Sequence, residues 1–228
     1  MTNAAVVFAR LDSSRLPGKA LREIAGRTLL DRVVDKVLVT SDELPVIVAT
    51  SDRAIDDPIA EHMTSRGIAV FRGDAPDVAG RALACADAYG LDRFARISGD
   101  SPFIVPSLIT RAIERSLVTG ADIVTNVFPR TYPVGVSIEL ITRDAMARIV
   151  AATDDPQDRE HVTRYVYRTS EGFTIENLAA PDDRYLGTSL AVDNETDHAR
   201  ASWILENLGG RADLDAAVAL AWEWENRK

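Results

Sequence analysis

The sequence predicts an α/β fold built on an open, mostly parallel sheet. Short β-branched runs alternate with longer segments of helical periodicity over the first two-thirds of the chain, the signature of consecutive βαβ units. Three of the richest polar clusters follow directly on those runs, where open α/β sheets bind their ligands. The length, 228 residues, allows one sizeable domain at ~100–200 residues each, read here as a single domain over 1–228 with a small inserted lobe at about 126–190.

The first strand is expected at Ala4–Ala9, with further strands at Val46–Thr50, Ile68–Phe71 and Phe94–Ser98. Between them helices are expected at Arg27–Val39, Ala54–Arg66 and Asp77–Tyr89. In the first of these Leu29, Leu30, Val33, Val34, Val37 and Leu38 recur on one face. A helix at Ser107–Leu117 leads to a strand at Asp122–Asn126, and a candidate antiparallel strand, Gly135–Ile141, follows the loop Phe128–Pro133. A helix at Arg143–Ala152, a polar break at Thr153–Asp158, a helix at Arg159–Ser170, strands near Phe173–Leu178 and Thr188–Val192, and helices at Glu195–Leu208 and Leu214–Glu225 complete the order.

Composition narrows the function. At 46% hydrophobic and 27% charged residues the chain falls outside the disordered, collagen-like and low-complexity classes. A net charge of −9 opposes nucleic acid and anionic membranes, so an anionic ligand must be met by a local cluster of positive groups. No apolar stretch nears the ~18 residues of a membrane span, and the run Ala4–Ala9 is too short for a secretory signal. Cys85 has no internal partner, and His62, His161 and His198 are too scattered for a structural zinc site. A cytoplasmic protein is expected.

The loop after the first strand, Ala9 to Lys19, concentrates Arg10, Ser13, Ser14, Arg15, Gly18 and Lys19. Polyphosphate binding needs closely approaching backbone N–H groups, hydroxyl donors and cations, and this loop offers all three. It is not a Walker A loop, because Gly-x-x-x-x-Gly-Lys-Ser/Thr is absent. A solvated basic turn is the competing reading. Asp100 ends the segment Arg96-Ile-Ser-Gly-Asp after a buried strand, with Gly99 and Pro102 fixing the turn, and is well placed for Mg²⁺. That ion takes one or two carboxylates plus substrate phosphates. Asp193, after the run Leu190–Val192, is the second candidate carboxylate, or else the N-cap of the helix beginning near Glu195.

The run Arg-x-x-Ser-x-Arg-Leu-Pro-Gly-Lys from Arg10 to Lys19 resembles the signature of cytidylyltransferases that activate acidic sugars, such as the CMP-Kdo and CMP-sialic acid synthetases. It is most similar to the spore-coat polysaccharide biosynthesis F (SpsF) type. The resemblance implies a Rossmann-like (GT-A-like) nucleotidyltransferase sheet and a loop that grips the triphosphate of CTP, with Arg10 and Lys19 stabilising charge during transfer. Val48-Ala-Thr-Ser-Asp52 resembles the family's second nucleotide-contacting loop, which implicates Thr50 and Asp52. Phe71-Arg-Gly-Asp…Asp77-Val-Ala-Gly-Arg81 resembles a further segment that places Arg81 near the nucleotide; the alternative for Arg81 is a helix-surface cation. Ala9 and Gly99 join the nucleotide side. Asn126…Arg130-Thr-Tyr-Pro-Val-Gly-Val-Ser-Ile-Glu139 and Arg159-Glu-His-Val-Thr163 resemble acceptor-side motifs, implying acceptor contacts by Asn126, Arg130, Tyr132, Glu139 and His161. His161 can instead be structural. Asp12, Ser137 and Asn194 depart from the family pattern.

The expected function is therefore transfer of CMP from CTP to a sugar, acidic by resemblance, with Mg²⁺ held by Asp100 and Asp193 and with release of pyrophosphate. The competing readings are a nucleotide-sugar glycosyltransferase, whose usual Asp-x-Asp motif is missing near the strand ends, and a non-catalytic nucleotide-binding module. A homodimer through residues 126–169 is expected. Trp203, Trp222 and Trp224 read as core or interface residues, and Leu214, Val218, Ala221 and Trp222 form an apolar stripe on the last helix.

Overall fold

The computed structural model describes residues 1–209 and 213–227. Its central strand, β1 (Asn3–Phe8), pairs in parallel with β4 (Val46–Ser51) on one side and β6 (Arg93–Ser98) on the other. β5 (Ala69–Gly73) continues the sheet beyond β4, again in parallel. Every residue of β4 is buried, as expected of a strand covered on both faces. The crossovers are α1 (Leu29–Leu38), α2 (Asp57–Ser65) and α3 (Val78–Ala88), so the first hundred residues form the elements expected from their periodicity, with only their ends displaced. A short hairpin of β2 (Glu23–Ile24) and β3 (Arg27–Thr28) precedes α1 and was not signalled by the sequence.

Beyond α4 (Pro106–Thr119) the sheet turns mixed. β8 (Glu139–Thr142) inserts between β6 and β7 (Ile123–Thr125), antiparallel to both, and β9 (Ile175–Asn177) closes the edge parallel to β7. The order is β5-β4-β1-β6-β8-β7-β9. Two strands of the main sheet, β8 and β9, thus come from the segment 126–190. Side chains alternate between two cores: Ala5 and Val7 of β1 face the larger, Ala4 and Val6 the smaller. Cys85 is fully buried in the smaller core, and burial pushes its thiol up to about 12.

Three expectations are corrected. The helix expected at Arg159–Ser170 is two helices, α6 (Pro156–Glu160) and α7 (Arg164–Thr169), and α6 starts inside the expected polar break. Asp155 caps α6 by accepting from the N–H of Gln157 at 2.8 Å, with Pro156 at its first turn. Between the helices Thr163 turns its hydroxyl to Glu139 at 2.6 Å. The strand expected at Thr188–Val192 reduces to one bridge, Ser189 to Val134. The strand expected from Gly135 begins only at Glu139, because Gly135 (φ 90°) bends the chain against residues 190–191. A Cβ there would lie 2.4 Å from Ala191 N. Gly135→Ala is therefore expected to destabilise the protein by roughly 1–3 kcal/mol, read from the urea midpoint; an unchanged midpoint would refute this account of the turn.

The chain ends with α5 (Arg143–Ala152) packed on α3, followed after β9 by α8 (Glu195–Asn207) and α9 (Leu214–Glu225). Val218 and Ala221 of α9 join the larger core, and Trp222 stays half-exposed while its Nε1 donates to Thr188 Oγ1 at 2.9 Å. The apolar stripe of α9 is thus largely buried within its own chain. No helix among the described residues is long and apolar enough to cross a membrane.

Candidate active site

The ends of β1 and β6 are held together by a bond from Gly99 N–H to Phe8 O at 2.8 Å, and a Cβ on Gly99 would sit 2.8 Å from that same oxygen. Absence of a side chain at Gly99 therefore allows two strand ends to meet, and each carries part of the site. From β1 the chain enters the basic loop. Leu16 is buried and anchors it, Gly18 N–H closes it onto Leu11 O at 2.8 Å, and Asp56 receives Leu11 N–H at 2.7 Å from below. From β6 comes Asp100. Asp193 approaches from the opposite side, with Val192 N–H bonded to Asp100 O at 3.0 Å.

These segments enclose a cleft of about 470 Å³. Ala9, Arg10, Ser13, Ser14, Arg15 and Lys19 line it from the loop, Arg81 from α3, and Arg96, Gly99 and Asp100 from β6 and its end. Glu160, His161 and Asp193 complete it. Lys19 joins the two carboxylates of this lining. Nζ donates at 2.9 Å to Asp100 Oδ2, at 2.9 Å to Asp193 Oδ1 and at 2.9 Å to Val192 O. Burial pulls the ammonium down, but the ion pairs with Asp100 and Asp193 outweigh it and hold Lys19 above its ordinary value. Burial likewise opposes ionisation of Asp193, yet Lys19 and then Arg15, at 3.1 Å, keep its carboxyl below the ordinary range.

The capping alternative for Asp193 does not hold, because Asn194 caps α8 by accepting from Asp197 N–H at 2.9 Å. Arg81 is not a helix-surface cation. It is 3% exposed, Nη1 donates to Asp74 O at 2.9 Å, and Nε is buried with no hydrogen-bond partner. Burial, then repulsion from Arg10, lowers its pKa. The departure Asp12 faces cations, with Arg53 at 2.7 Å and Arg10 at 3.3 Å. Arg10 also donates to Glu160 Oε1 at 2.9 Å.

Other expected site residues lie elsewhere. Thr50 is fully buried in β4, Asp52 is exposed beyond it, and neither lines the cleft. Asn126 is fully buried and bridges backbone, its Nδ2 donating to Val136 O at 2.7 Å and its Oδ1 accepting from Ile138 N–H at 2.8 Å. Tyr132 packs in the larger core, stacked on Tyr185 at 5.7 Å between ring centres. The Asn126 amide is therefore not free for an acceptor, and the Tyr132 ring is committed to the core. Arg130 and His161 border a second cavity of about 570 Å³ that shares Arg96 and His161 with the cleft. Glu139 lies beneath it, 3% exposed, its oxygens accepting from Arg96 and from Thr163 and Tyr167, both at 2.6 Å. Arg96, Glu160, Arg164 and Arg168 are cavity residues that sequence reasoning did not single out. A charged residue within a buried strand was the available signal for Arg96.

No group of three or more His, Cys, Asp or Glu side chains among the described residues is placed to hold a metal on protein ligands alone. Asp100 and Asp193, which already share one cation between them, fit a hard divalent ion that completes its shell with phosphate oxygens and water.

The cytidylyltransferase family model matches residues 4–186. The chain belongs to that family. As a cytidylyltransferase family member it is a nucleotidyltransferase. It is 29% identical to the spore coat polysaccharide biosynthesis protein SpsF of Bacillus subtilis (strain 168), across 93% of this chain and 90% of that protein. A 3-deoxy-manno-octulosonate cytidylyltransferase of Trichlorobacter lovleyi is 33% identical over 114 residues, half of this chain and 44% of that protein. The fold superposes on a cytidylyltransferase from Leptospira borgpetersenii serovar Hardjo-bovis with a TM-score of 0.90 and 26% identity, covering 100% of this chain and 95% of that one. It shares the fold of a CMP:2-keto-3-deoxy-manno-octonic acid synthetase complexed with CTP at a TM-score of 0.70 and 16% identity, over 90% of this chain and 99% of that one.

Proposed function

We propose that the protein transfers CMP from CTP to a hydroxyl of an acidic sugar and releases pyrophosphate, for surface polysaccharide or glycoconjugate synthesis. The observation that carries this reading is the convergence of Arg10, Arg15, Lys19 and Arg81 with the pair Asp100 and Asp193 in one cleft at the carboxyl ends of β1 and β6. A triphosphate needs such a set of cations in a chain that is acidic overall. Ser13 and Ser14 offer hydroxyl donors beside them. The Arg81 Nε, buried without a partner, is a donor that an anion in the cleft would satisfy.

In this reading the cleft fixes the α-phosphorus in line with the acceptor oxygen, and the bond to the pyrophosphate oxygen breaks as the new P–O bond forms. Asp100 and Asp193 would hold Mg²⁺, which when bound neutralises phosphate oxygens and orients the leaving group. The guanidinium groups of Arg10 and Arg81 offset the charge that gathers on the departing pyrophosphate. The second cavity receives the acceptor. Within it Arg164 and Arg168 share the buried Asp158 carboxylate, with Asp155 3.8 Å from Arg164 as a second acid, whereas Arg130 donates to two neutral oxygens, Ser137 Oγ at 3.1 Å and Pro133 O at 3.4 Å. Arg130 is therefore the guanidinium suited to a sugar carboxylate, and Ser137, one of the departures from the family pattern, puts no charge against it.

The test is pyrophosphate release with each nucleoside triphosphate, against acidic 2-keto sugars and their neutral counterparts, with and without chelator. Release is expected only with CTP, an acidic sugar and a divalent cation. Equal turnover with UTP, or with neutral sugars, would overturn the proposal.

A further inference from the structure

Lys19 sits where a cation shared by Asp100 and Asp193 would sit. Its three contacts, to Asp100 Oδ2, Asp193 Oδ1 and Val192 O, use all three protons of the ammonium. In this arrangement no proton of Lys19 remains for a phosphate, and one oxygen of each carboxylate is already taken. The residue cannot hold the two carboxylates together and meet a triphosphate in the same position.

We propose that Lys19 is a lock on this carboxylate pair. Without nucleotide it keeps a divalent cation out, and an arriving triphosphate draws the ammonium into the cleft and opens the pair to the cation. The inference rests on the reading of Asp100 and Asp193 as the metal-holding pair and adds an order of binding to it. Three observations support the exchange. Lys19 lines the cleft, so its flexible four-carbon stem has space to swing into. Asp193 keeps Arg15, at 3.1 Å, when Lys19 departs. Among the described residues, Asp100 keeps the neutral Ser101 hydroxyl, at 3.2 Å, as the one other contact of its carboxylate. Departure of Lys19 therefore leaves Asp100 uncompensated in a half-buried site, and a replacing cation restores the balance. Nucleotide and metal then bind with positive and reciprocal coupling. Lys19 is here a positioning residue for the metal as well as a phosphate contact.

Binding of Mn²⁺ alone, followed by the electron paramagnetic resonance of the free ion and with no nucleotide present, tests this. Lys19→Met is expected to bind Mn²⁺ at least about tenfold more tightly than wild type, since one opposite charge at this distance is worth about tenfold or more. Lys19→Gln, of similar reach and no charge, should show the same gain, and a thermal melt verifies that both variants are folded. Mn²⁺ affinity in both variants equal to or weaker than wild type overturns the lock. The double variant Lys19→Met/Asp100→Asn should lose the gain. If it keeps the gain, the cation lies elsewhere, and the metal-pair reading fails together with the lock.

Discussion

Asp100→Asn and Asp193→Asn are each expected to lower turnover with CTP by about 10²–10³ while leaving the melting temperature close to that of the parent. The magnitude follows from removing one of two charges that would hold the cation on the triphosphate, a loss of a few kcal/mol of transition-state stabilisation. The preserved stability follows from the geometry. Neither side chain is in a core, Lys19 retains one carboxylate and Val192 O in either variant, and the cap of α8 belongs to Asn194 rather than Asp193. Steady-state pyrophosphate release beside a thermal melt checks both parts. Turnover near wild type in one variant would remove that aspartate from the reaction, and a large fall in melting temperature would assign it a structural role instead.

The strand-end position of these aspartates made them legible in the sequence. Asp100 follows a run of buried residues and a Gly99 turn, and Asp193 follows Leu190–Val192, so each lies at a strand or segment end whatever the rest of the fold does. The α1 pattern was legible for the same local reason: Leu29, Leu30, Val33, Val34 and Val37 are all fully buried on the face that a 3.6-residue period brings together. Residues whose role depends on a partner far along the chain were not legible. Asn126 read as an acceptor contact because its segment resembles an acceptor-side motif of the family. Its amide in fact completes hydrogen bonding for Val136 and Ile138, where Gly135 delays the start of β8. Thr163 read as mid-helix, but its hydroxyl is drawn to Glu139, 24 residues earlier, and the helix breaks there. Arg96 and Glu160 came to the cleft through pairings with Glu139 and Arg10 that no spacing rule displays.

Glu139→Gln is expected to destabilise the protein by about 3–5 kcal/mol, the cost of removing one partner from a buried ion pair. In a chain of this length that corresponds to a melting temperature lower by roughly 6–20 °C. Burial opposes ionisation of Glu139, but Arg96 and the hydroxyls of Thr163 and Tyr167 outweigh it and keep its carboxyl below its ordinary value of 4.5. The carboxylate's contribution is therefore fully present above about pH 4.5 and is lost as the pH falls through the lower folded value. The difference between wild type and Glu139→Gln should shrink as the pH is lowered through that window. Burial, then the Glu139 charge, pushes the Tyr167 hydroxyl the other way, so it stays a donor to Glu139 at neutral pH. Because apolar replacement of both members of a buried pair is often neutral, Arg96→Leu/Glu139→Leu should recover part of the lost stability, the remainder being the cost of leaving the Thr163 and Tyr167 hydroxyls without Glu139 as acceptor. It should not recover activity, since Arg96 lines both the cleft and the second cavity. Urea denaturation of the wild type and the single and double variants, from pH 7 down through the acid range below 4.5, with turnover alongside at neutral pH, measures this. A Glu139→Gln variant within about 0.5 kcal/mol of wild type at pH 7 would show that the Arg96–Glu139 pair does not hold β8 to β6, and a double variant with full turnover would remove Arg96 from the site.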